Sequence, residues 1–300
     1  MTDGKHFIND PTELVLESLK GLTLTYSHLA LDEKQKVVYA KNTSQLRETQ
    51  VTLMSGGGAG HEPAHSGYVG PGMLTAAVSG HVFASPTSSQ VLSCLRRIYS
   101  PEHGTLVIVK NYTGDILNFG RAIERFKAER VSRNNEHDPK VEMVVVGDDV
   151  GVVGEESEDV GRRGLAATIL VHKVAGALAA IGAPLDEVKS TAEFVCANAF
   201  TVGCALEAAS VPAAGKPRHL GADQIEVGMG IHNEPGFRTT RIASARSLVS
   251  SIVDRIVSSR FLQRLPDLSE RRDVVILVNN LGAVSNLEMG LVAKEAIEAV

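Results

Sequence analysis

The sequence has few aromatic side chains and no surplus of positive charge. Phe, Tyr and Trp together make up 4% of the 300 residues, and Trp is absent. Lys and Arg number 30 against 35 Asp and Glu, which gives a net charge of −5 with the histidines neutral. Nucleic-acid binding depends on basic surfaces and aromatic stacking platforms, so this composition argues against a nucleic-acid partner. It also argues against a polybasic membrane-binding surface.

Cysteines and long apolar segments are scarce as well. The three cysteines are Cys94, Cys196 and Cys204. They show no CxxC spacing and cannot form a disulfide framework, which favours a reducing, cytoplasmic compartment. The most apolar stretch, residues 165–181, is interrupted by His172 and Lys173 and is too short to span a bilayer. Residues 1–9 lack the apolar core of a signal peptide. We therefore expect a cytoplasmic protein without a membrane segment.

Apolar segments that alternate with helical patterns predict an α/β fold with mainly parallel or mixed sheets. The predicted strands cover residues 51–54, 106–109, 141–146, 225–229 and 274–278. The predicted helices cover residues 88–98, 116–130, 164–181, 184–200, 242–256 and 286–300. The length exceeds that of one usual core, which favours one large domain or two medium ones. Pro184 opens a new helix, and we expect a boundary there between two α/β lobes, 1–185 and 186–300. The last helix has no C-cap and no strand after it, and we expect the second lobe to be truncated.

A glycine-rich segment, residues 56–60, follows the first of these predicted strands. Glycines let a backbone approach a ligand closely. The segment is not a P-loop, because no Gly-Lys-Ser/Thr follows it, and His61 stands where a GxGxxG motif needs its third glycine. On the glycines alone, a ligand-binding loop and a plain tight turn are equally good interpretations.

The segment His61-Glu-Pro-Ala-His65 matches the HExxH pattern of zinc proteases. That zinc site needs two histidines one turn apart on an established helix. Here Pro63 lies between the histidines and removes a helical N–H, and no third-ligand motif follows. These features argue against a zinc protease. The pair Asp148-Asp149 is a weak metal candidate and is better explained by turn and helix-cap roles. We predict no metal ligand set.

Three polar residues each follow a predicted strand. His61 follows the first strand, Asp115 the second and His232 the strand at 225–229. Open α/β sheets bind ligands at the carboxyl ends of their strands. Taken singly, each residue could serve only to cap a helix or stabilise a turn. Their shared placement makes them the candidate functional residues.

Long motifs resemble the substrate-binding K domain (DhaK) of dihydroxyacetone kinases, and they extend over essentially the whole chain. They lie at residues 54–78 (MSGGGAGHEPAHSGYVGPGMLTAAV), 81–86 (HVFASP), 109–119 (VKNYTGDILNF), 161–166 (GRRGLA), 211–217 (VPAAGKP), 227–236 (VGMGIHNEPG) and 277–282 (LVNNLG). The resemblance implies two α/β lobes, a homodimer, and a substrate, glycerone (dihydroxyacetone), held between the lobes. His81 stands where this family commonly has an acidic residue, which affects no catalytic position.

The resemblance also implies the roles of individual residues. His232 would bind glycerone covalently as a hemiaminal, with His61 as the second catalytic histidine and Asp115 as the catalytic carboxylate. The implied substrate-binding residues are Gly58, Ala59, Gly60, His61, Lys110 and Asp115. The implied activity is that of a glycerone kinase, which transfers a phosphoryl group to an alcohol.

The chain lacks the L domain that enzymes of this kind use for the nucleotide. The resemblance implies that Mg-ATP is held by a separate L domain, in cis or in trans, and that this chain binds no cofactor itself. The sequence does not fix the phosphoryl donor. An alternative is a non-catalytic, glycerone-sensing regulatory protein on the same scaffold. The presence of both His61 and Asp115 beside His232 favours the kinase, because a sensor needs less of the phosphoryl-transfer machinery.

Overall fold

The computed structural model describes residues 6–134, 138–151, 161–212, 219–263 and 273–300. Residues 213–217 of the VPAAGKP motif lie outside the described residues. The chain forms two compact units. The larger unit runs to Val146 and resumes over Thr168–Ala197, and the smaller unit contains Gly147–Ala167 and Asn198–Val300. The sequence suggested a single boundary after residue 185, whereas within the described residues the chain passes between the units three times, after Val146, Ala167 and Ala197.

The larger unit contains a six-stranded mixed sheet with strand order β1-β2-β4-β3-β5-β6. The strands are β1 Leu29–Asp32, β2 Val37–Ala40, β3 Thr52–Ala59, β4 Ala76–Val82, β5 Thr105–Lys110 and β6 Val141–Val146. Strands β4, β3, β5 and β6 are parallel, and β1 and β2 extend the sheet in antiparallel pairing. The predicted α/β class with a mixed sheet is confirmed.

Helices cover both faces of this sheet. They are α1 Leu14–Thr25, α2 Thr43–Thr49, α3 Ser88–Ile98, α4 Thr113–Asn134, α5 Ala167–Ala180 and α6 Leu185–Ala197. Side chains alternate across a strand, so Leu106 and Ile108 of β5 join one core with α1, α5 and α6. Val107 and Val109 join a second core with α3 and α4. Buried on both faces, β5 reads as a continuous apolar run.

Residues 56–59 of the glycine-rich segment are part of strand β3 and not a loop after it. The strand continues to Ala59, five residues beyond the predicted end at Met54, and every one of its residues is buried. A Cβ on Gly56 would lie 2.4 Å from the carbonyl oxygen of Val78 in β4. On Gly58 it would lie 2.7 Å from the backbone nitrogen of Ala84. The strand extends this far because glycine lets its backbone pack tightly against its neighbours.

The smaller unit contains a three-stranded antiparallel sheet of β7 Cys204–Ala205, β8 Gln224–Val227 and β9 Arg238–Arg241. Its helices, within the described residues, are α7 Ala245–Val257, α8 Arg260–Gln263 and α9 Asn286–Ala299. Ser285 and Glu288 form the capping box at the start of α9 that the sequence predicts. Nowhere in the described ranges is a helix both long and apolar enough to cross a membrane.

The predicted strand at residues 274–278 is wrong. The segment has no regular secondary structure, and the side chains of Val274 and Val275 are 63% and 82% exposed. A run of β-branched residues forms a strand only where a neighbouring strand supplies hydrogen bonds. No strand within the described residues pairs with this segment.

Candidate functional site

Two adjacent parallel strands bring His61 and Lys110 together in the larger unit. Lys110 is the last residue of β5, His61 follows the end of β3, and each side chain is only 2% exposed. Lys110 Nζ lies 3.0 Å from His61 Nε2. A lysine ammonium has only donors, so it donates to Nε2, and the ring proton of a neutral His61 then lies on Nδ1.

The predicted substrate-binding glycines lie at the end of β3. Gly60 has a φ of +104°, a conformation that favours glycine. Its backbone N–H donates to the Glu62 carboxylate at 2.9 Å. Gly57 differs from its neighbours, because a Cβ there would meet no backbone atom. Its nearest neighbours would be Asp115 Oδ2 at 3.5 Å and His65 Nε2 at 3.7 Å.

Asp115 lies in the first turn of α4 and is 2% exposed. The helix begins at Thr113, three residues before the predicted start, so Asp115 is helical and not part of the preceding loop. The positive end of the helix dipole favours a carboxylate at this position. His61, Lys110 and Asp115 therefore all lie at the carboxyl ends of β3 and β5. The sequence predicted this placement for His61 and Asp115, and the resemblance implied Lys110.

Buried histidines His65 and His172 form a polar chain behind this cluster. His65 Nδ1 lies 3.0 Å from His172 Nε2 and 3.2 Å from the Ser55 hydroxyl. His172 lies on α5 and is fully buried. Burial, reinforced by the positive charge of Lys110, lowers the pKa of His172 to about 3. Burial is also the main cause that holds the pKa of His65 well below its usual value.

The HExxH interpretation fails on the local structure. Residues 61–65 form turns and not a helix, and Ser66–Tyr68 is a short 3-10 helix. The two histidines therefore do not share a helix face, which a zinc protease site requires. Among the residues that the structure describes, no group of three or more His, Cys, Asp or Glu side chains could hold a metal ion.

Asp148 and Asp149 stabilise the chain where it leaves and rejoins the larger unit. The Asp148 carboxylate accepts backbone N–H groups of Leu165 at 2.6 Å and Ala167 at 2.9 Å, at the start of α5. These bonds explain why α5 begins three residues later than predicted. Asp149 forms a buried ion pair with Arg163. The turn and cap roles predicted for the pair are confirmed.

His232 lies in the smaller unit, in a tight turn between β8 and β9. The Glu234 carboxylate accepts the His232 backbone N–H at 2.8 Å and lies 3.1 Å from ring Nδ1. Burial raises the pKa of Glu234, but the His232 ring and backbone N–H outweigh it and lower that pKa to about 2. The carboxylate is therefore ionised at neutral pH and accepts a hydrogen bond from the protonated Nδ1. This arrangement places the lone pair of a neutral His232 on Nε2.

The turn that carries His232 is fixed by its neighbours. Asn233 has a φ of +66°, a conformation that asparagine tolerates better than most residues. Its side-chain amide bonds both the backbone N–H and the carbonyl of Ala209, at 2.7 and 2.8 Å. A Cβ on Gly230 would lie 2.2 Å from Glu234 Oε2, so only glycine lets the carboxylate reach the histidine.

Comparison with known proteins places the chain in a family. Residues 20–300 match the Dak1 domain. The chain is 41% identical over 293 residues to dihydroxyacetone kinase 2 of Saccharomyces cerevisiae, covering 97% of this chain and 48% of the relative. The chain belongs to the Dak1 domain family. The resemblance to dihydroxyacetone kinases is thereby confirmed.

Other relatives of this Dak1 domain differ in how much of their own length it covers. It is 40% identical, over 98% of its length and 84% of the relative, to the dihydroxyacetone-binding subunit DhaK of a PTS-dependent kinase from Listeria innocua. The crystal structure of the C. freundii dihydroxyacetone kinase matches with 37% identity and a TM-score of 0.84, over 100% of this chain and 52% of that chain. The structure of a dihydroxyacetone kinase operon co-activator matches with 31% identity and a TM-score of 0.81, over 94% of this chain and 82% of that chain. This chain thus spans about half the length of the full kinases.

Three residues of the site escaped the sequence reasoning. Glu234 was passed over as part of a turn motif, although it lies two residues after the candidate His232. His65 was considered only as a zinc ligand. His172 was noted only because it interrupts the most apolar segment of the chain. A polar residue within such a segment is the signal that could have indicated a buried polar contact.

We predict that His65 and His172 of this Dak1 domain stay neutral in the folded chain from pH 8 to 5. Their ring resonances should not shift between pH 8 and pH 5 in nuclear magnetic resonance spectra. Each resonance is assigned by its disappearance in His65→Gln or His172→Gln. Unfolding lets both rings charge below pH 6.5, so the unfolded state binds more protons and the free energy of unfolding falls with falling pH. A titration midpoint near 6.5 for either ring would contradict this.

Proposed function

We propose that this Dak1 domain is the substrate-binding part of a glycerone kinase and captures glycerone covalently on His232. The observation that carries the proposal is the contact between His232 Nδ1 and the Glu234 carboxylate, which directs the lone pair to Nε2. The Listeria innocua relative, matched over most of its length, is named a dihydroxyacetone-binding subunit, which supports glycerone as the ligand.

The capture step is the addition of an imidazole to a ketone. His232 Nε2 attacks the central carbon of glycerone, a C–N bond forms, and the carbonyl π bond breaks towards oxygen. The oxygen gains one proton and the ring gives one up, so the step is balanced and needs no other reactant. The Glu234 carboxylate stabilises the positive charge that develops on the ring. Glycerol has no carbonyl group, so it cannot form this adduct.

In the second step a hydroxyl group of the captured substrate attacks a phosphoryl group. Asp115 takes the hydroxyl proton as general base. His61, held by Lys110, donates its Nδ1 proton in a hydrogen bond to a substrate oxygen, and the end of β3 at Gly58, Ala59 and Gly60 borders the substrate. Holding the substrate covalently lowers the entropic cost of bringing it to the phosphoryl donor.

The phosphoryl donor is assigned to a separate L domain or subunit, with Mg-ATP as one candidate donor. Phosphoryl transfer requires a metal or cationic clamp on the transferred group. The C. freundii kinase, whose chain is about twice as long, has also been solved with AMP-PNP and Mg²⁺, whereas the Listeria innocua kinase is named PTS-dependent. The proposal also includes that this Dak1 domain forms a homodimer and lies in the cytoplasm.

A second candidate is a glycerone-sensing regulator. The similarity to an operon co-activator of known structure favours it, because that protein has the same fold without being named a kinase. Both candidates need glycerone binding. They differ in whether Asp115 acts in turnover.

Incubation with glycerone should add one glycerone to the protein, as measured by intact mass after trapping, and peptide mapping should place it on His232. The His232→Ala variant should show no adduct, because no other group in the turn supplies the nucleophile. His219→Ala, an exposed histidine of the same unit, is the matched control and should retain the adduct. A noncovalent complex that binds glycerone as tightly in His232→Ala as in the wild type would refute covalent capture.

Glu234→Gln should reduce adduct formation by about a hundredfold or more. The glutamine oxygen should still accept the hydrogen bond from the backbone N–H of His232. The glutamine NH₂ group then donates to Nδ1, so the ring proton moves to Nε2. The nucleophilic lone pair is then lost, although the shape is unchanged. Ring ¹⁵N shifts should report the change of tautomer. Adduct formation at the normal rate with the changed tautomer would exclude Nε2 as the nucleophile.

Asp115→Asn should lower kcat by about a hundredfold or more in the presence of an L subunit and its phosphoryl donor. Adduct formation should persist, because His232 carries that step. Glu124→Gln, an exposed change on the same helix α4, should leave kcat unchanged. If the wild-type domain binds glycerone but shows no turnover with any L subunit and donor, the regulator becomes the better proposal.

A further inference from the structure

The buried imidazole of His65 and the carboxylate of Asp115 both lie beside the backbone of Gly57. A single point, the Cβ position that Gly57 lacks, lies 3.7 Å from His65 Nε2 and 3.5 Å from Asp115 Oδ2. His65 is 4% exposed, and its Nε2 has no hydrogen-bond partner within the described part of the chain. A buried polar atom without a partner is costly, which indicates that a ligand or water supplies one.

We propose that His65 Nε2 and Asp115 Oδ2 form a hydroxyl-binding subsite over Gly57. The hydroxyl oxygen accepts a hydrogen bond from His65, and its proton is donated to Asp115. This inference rests on the proposed function and assigns the reacting hydroxyl of glycerone to a place beside the general base. His65 is thus a substrate-binding residue in addition to those implied by the resemblance.

The hydrogen bonds behind His65 determine which of its nitrogens carries the proton. The Ser55 hydroxyl and His172 Nε2 both lie within hydrogen-bond distance of His65 Nδ1. If His172 Nε2–H donates to the single lone pair of Nδ1, the ring proton of His65 lies on Nε2. Among the described residues, the groups of these two rings then left without a partner are an acceptor, His172 Nδ1, and the His65 N–H at the subsite. The opposite tautomer would leave an N–H of His172 unpaired in the core, where orphaned donors are rare.

The charge state of His65 suits this role. Burial keeps its imidazole neutral, and Lys110, His172 and His61 act in the same direction. An imidazolium beside Asp115 would form an ion pair and weaken the carboxylate as a base. A neutral N–H orients the hydroxyl without taking the negative charge that the base requires.

The proposal gives a steric reason for glycine at position 57. Its neighbours Gly56 and Gly58 must be glycine because a Cβ there would overlap backbone atoms at 2.4 and 2.7 Å. A Cβ on Gly57 would make only ordinary contacts, and its φ lies outside the left-handed range that strains other residues, so the fold itself tolerates alanine there. The methyl group would instead fill the proposed subsite.

The experiment compares Gly57→Ala with Gly120→Ala, a control on helix α4 where a Cβ meets nothing within 4 Å. Gly57→Ala should keep the wild-type melting temperature, and Gly120→Ala should keep or raise it, because alanine favours the helix. The glycerone concentration that gives half-maximal adduct should rise about tenfold or more for Gly57→Ala and stay unchanged for Gly120→Ala. An unchanged concentration for a folded Gly57→Ala would overturn the subsite.

Two changes at His65 separate a ligand contact from a structural contact. Gln retains an N–H donor in reach of the subsite, whereas Leu does not, so His65→Leu should weaken glycerone capture more than His65→Gln at comparable melting temperature. Equal weakening in both variants, in step with a loss of melting temperature, would assign His65 to the core only.

A spectroscopic measurement on the wild-type domain keeps the test independent of covalent capture. The His65 Nε2–H resonance should be detectable and should shift when glycerone is added, both in the wild type and in His232→Ala. If no adduct forms but this shift occurs, covalent capture fails and the subsite stands. If an adduct forms without any shift, the subsite is refuted and covalent capture stands.

Discussion

A buried lysine at the end of β5 is the constraint around which the larger unit's polar cluster is organised. Lys110 is 2% exposed, and a charge in such surroundings must be hydrogen-bonded. His61 supplies an acceptor at 3.0 Å. The same charge acts through the core on His65 and His172 and lowers the pKa of both. One cation thus fixes the tautomer of one ring and helps to keep two others neutral.

Such a cluster needs space at the carboxyl end of the sheet, which a strand without side chains leaves open. Strand β3 provides it, because Gly56, Gly57 and Gly58 leave no side chains between the strand and its surroundings. Two of these glycines are required by backbone packing on β4 and on the segment at Ala84. The third opens a space in front of Asp115. The sequence Gly-Gly-Gly therefore combines two structural requirements with one chemical requirement.

The sequence predicted the elements with strong local patterns and the residues at strand ends. The strand predicted at 141–146 finds a partner in β5, and the Ser285 capping box depends on neighbouring residues only, so both agree with the structure. The extent of β3 and the absence of a strand at 274–278 depend on distant partners, which periodicity does not reveal. His61 and Asp115 were found by their position after strands. The role of Glu234 as a hydrogen-bond acceptor requires knowing how the turn folds back on itself.

The two candidate histidines of this Dak1 domain show how neighbouring charge can assign chemical roles. In both rings the proton of the neutral form lies on Nδ1, as the partners Lys110 and Glu234 require. In His61 the Nε2 lone pair is engaged by a cation, so it is withdrawn from attack on a carbonyl carbon. In His232 the partner is an anion on the other nitrogen, which increases electron density at Nε2. The fold thereby gives one imidazole the character of a hydrogen-bond donor and the other that of a nucleophile.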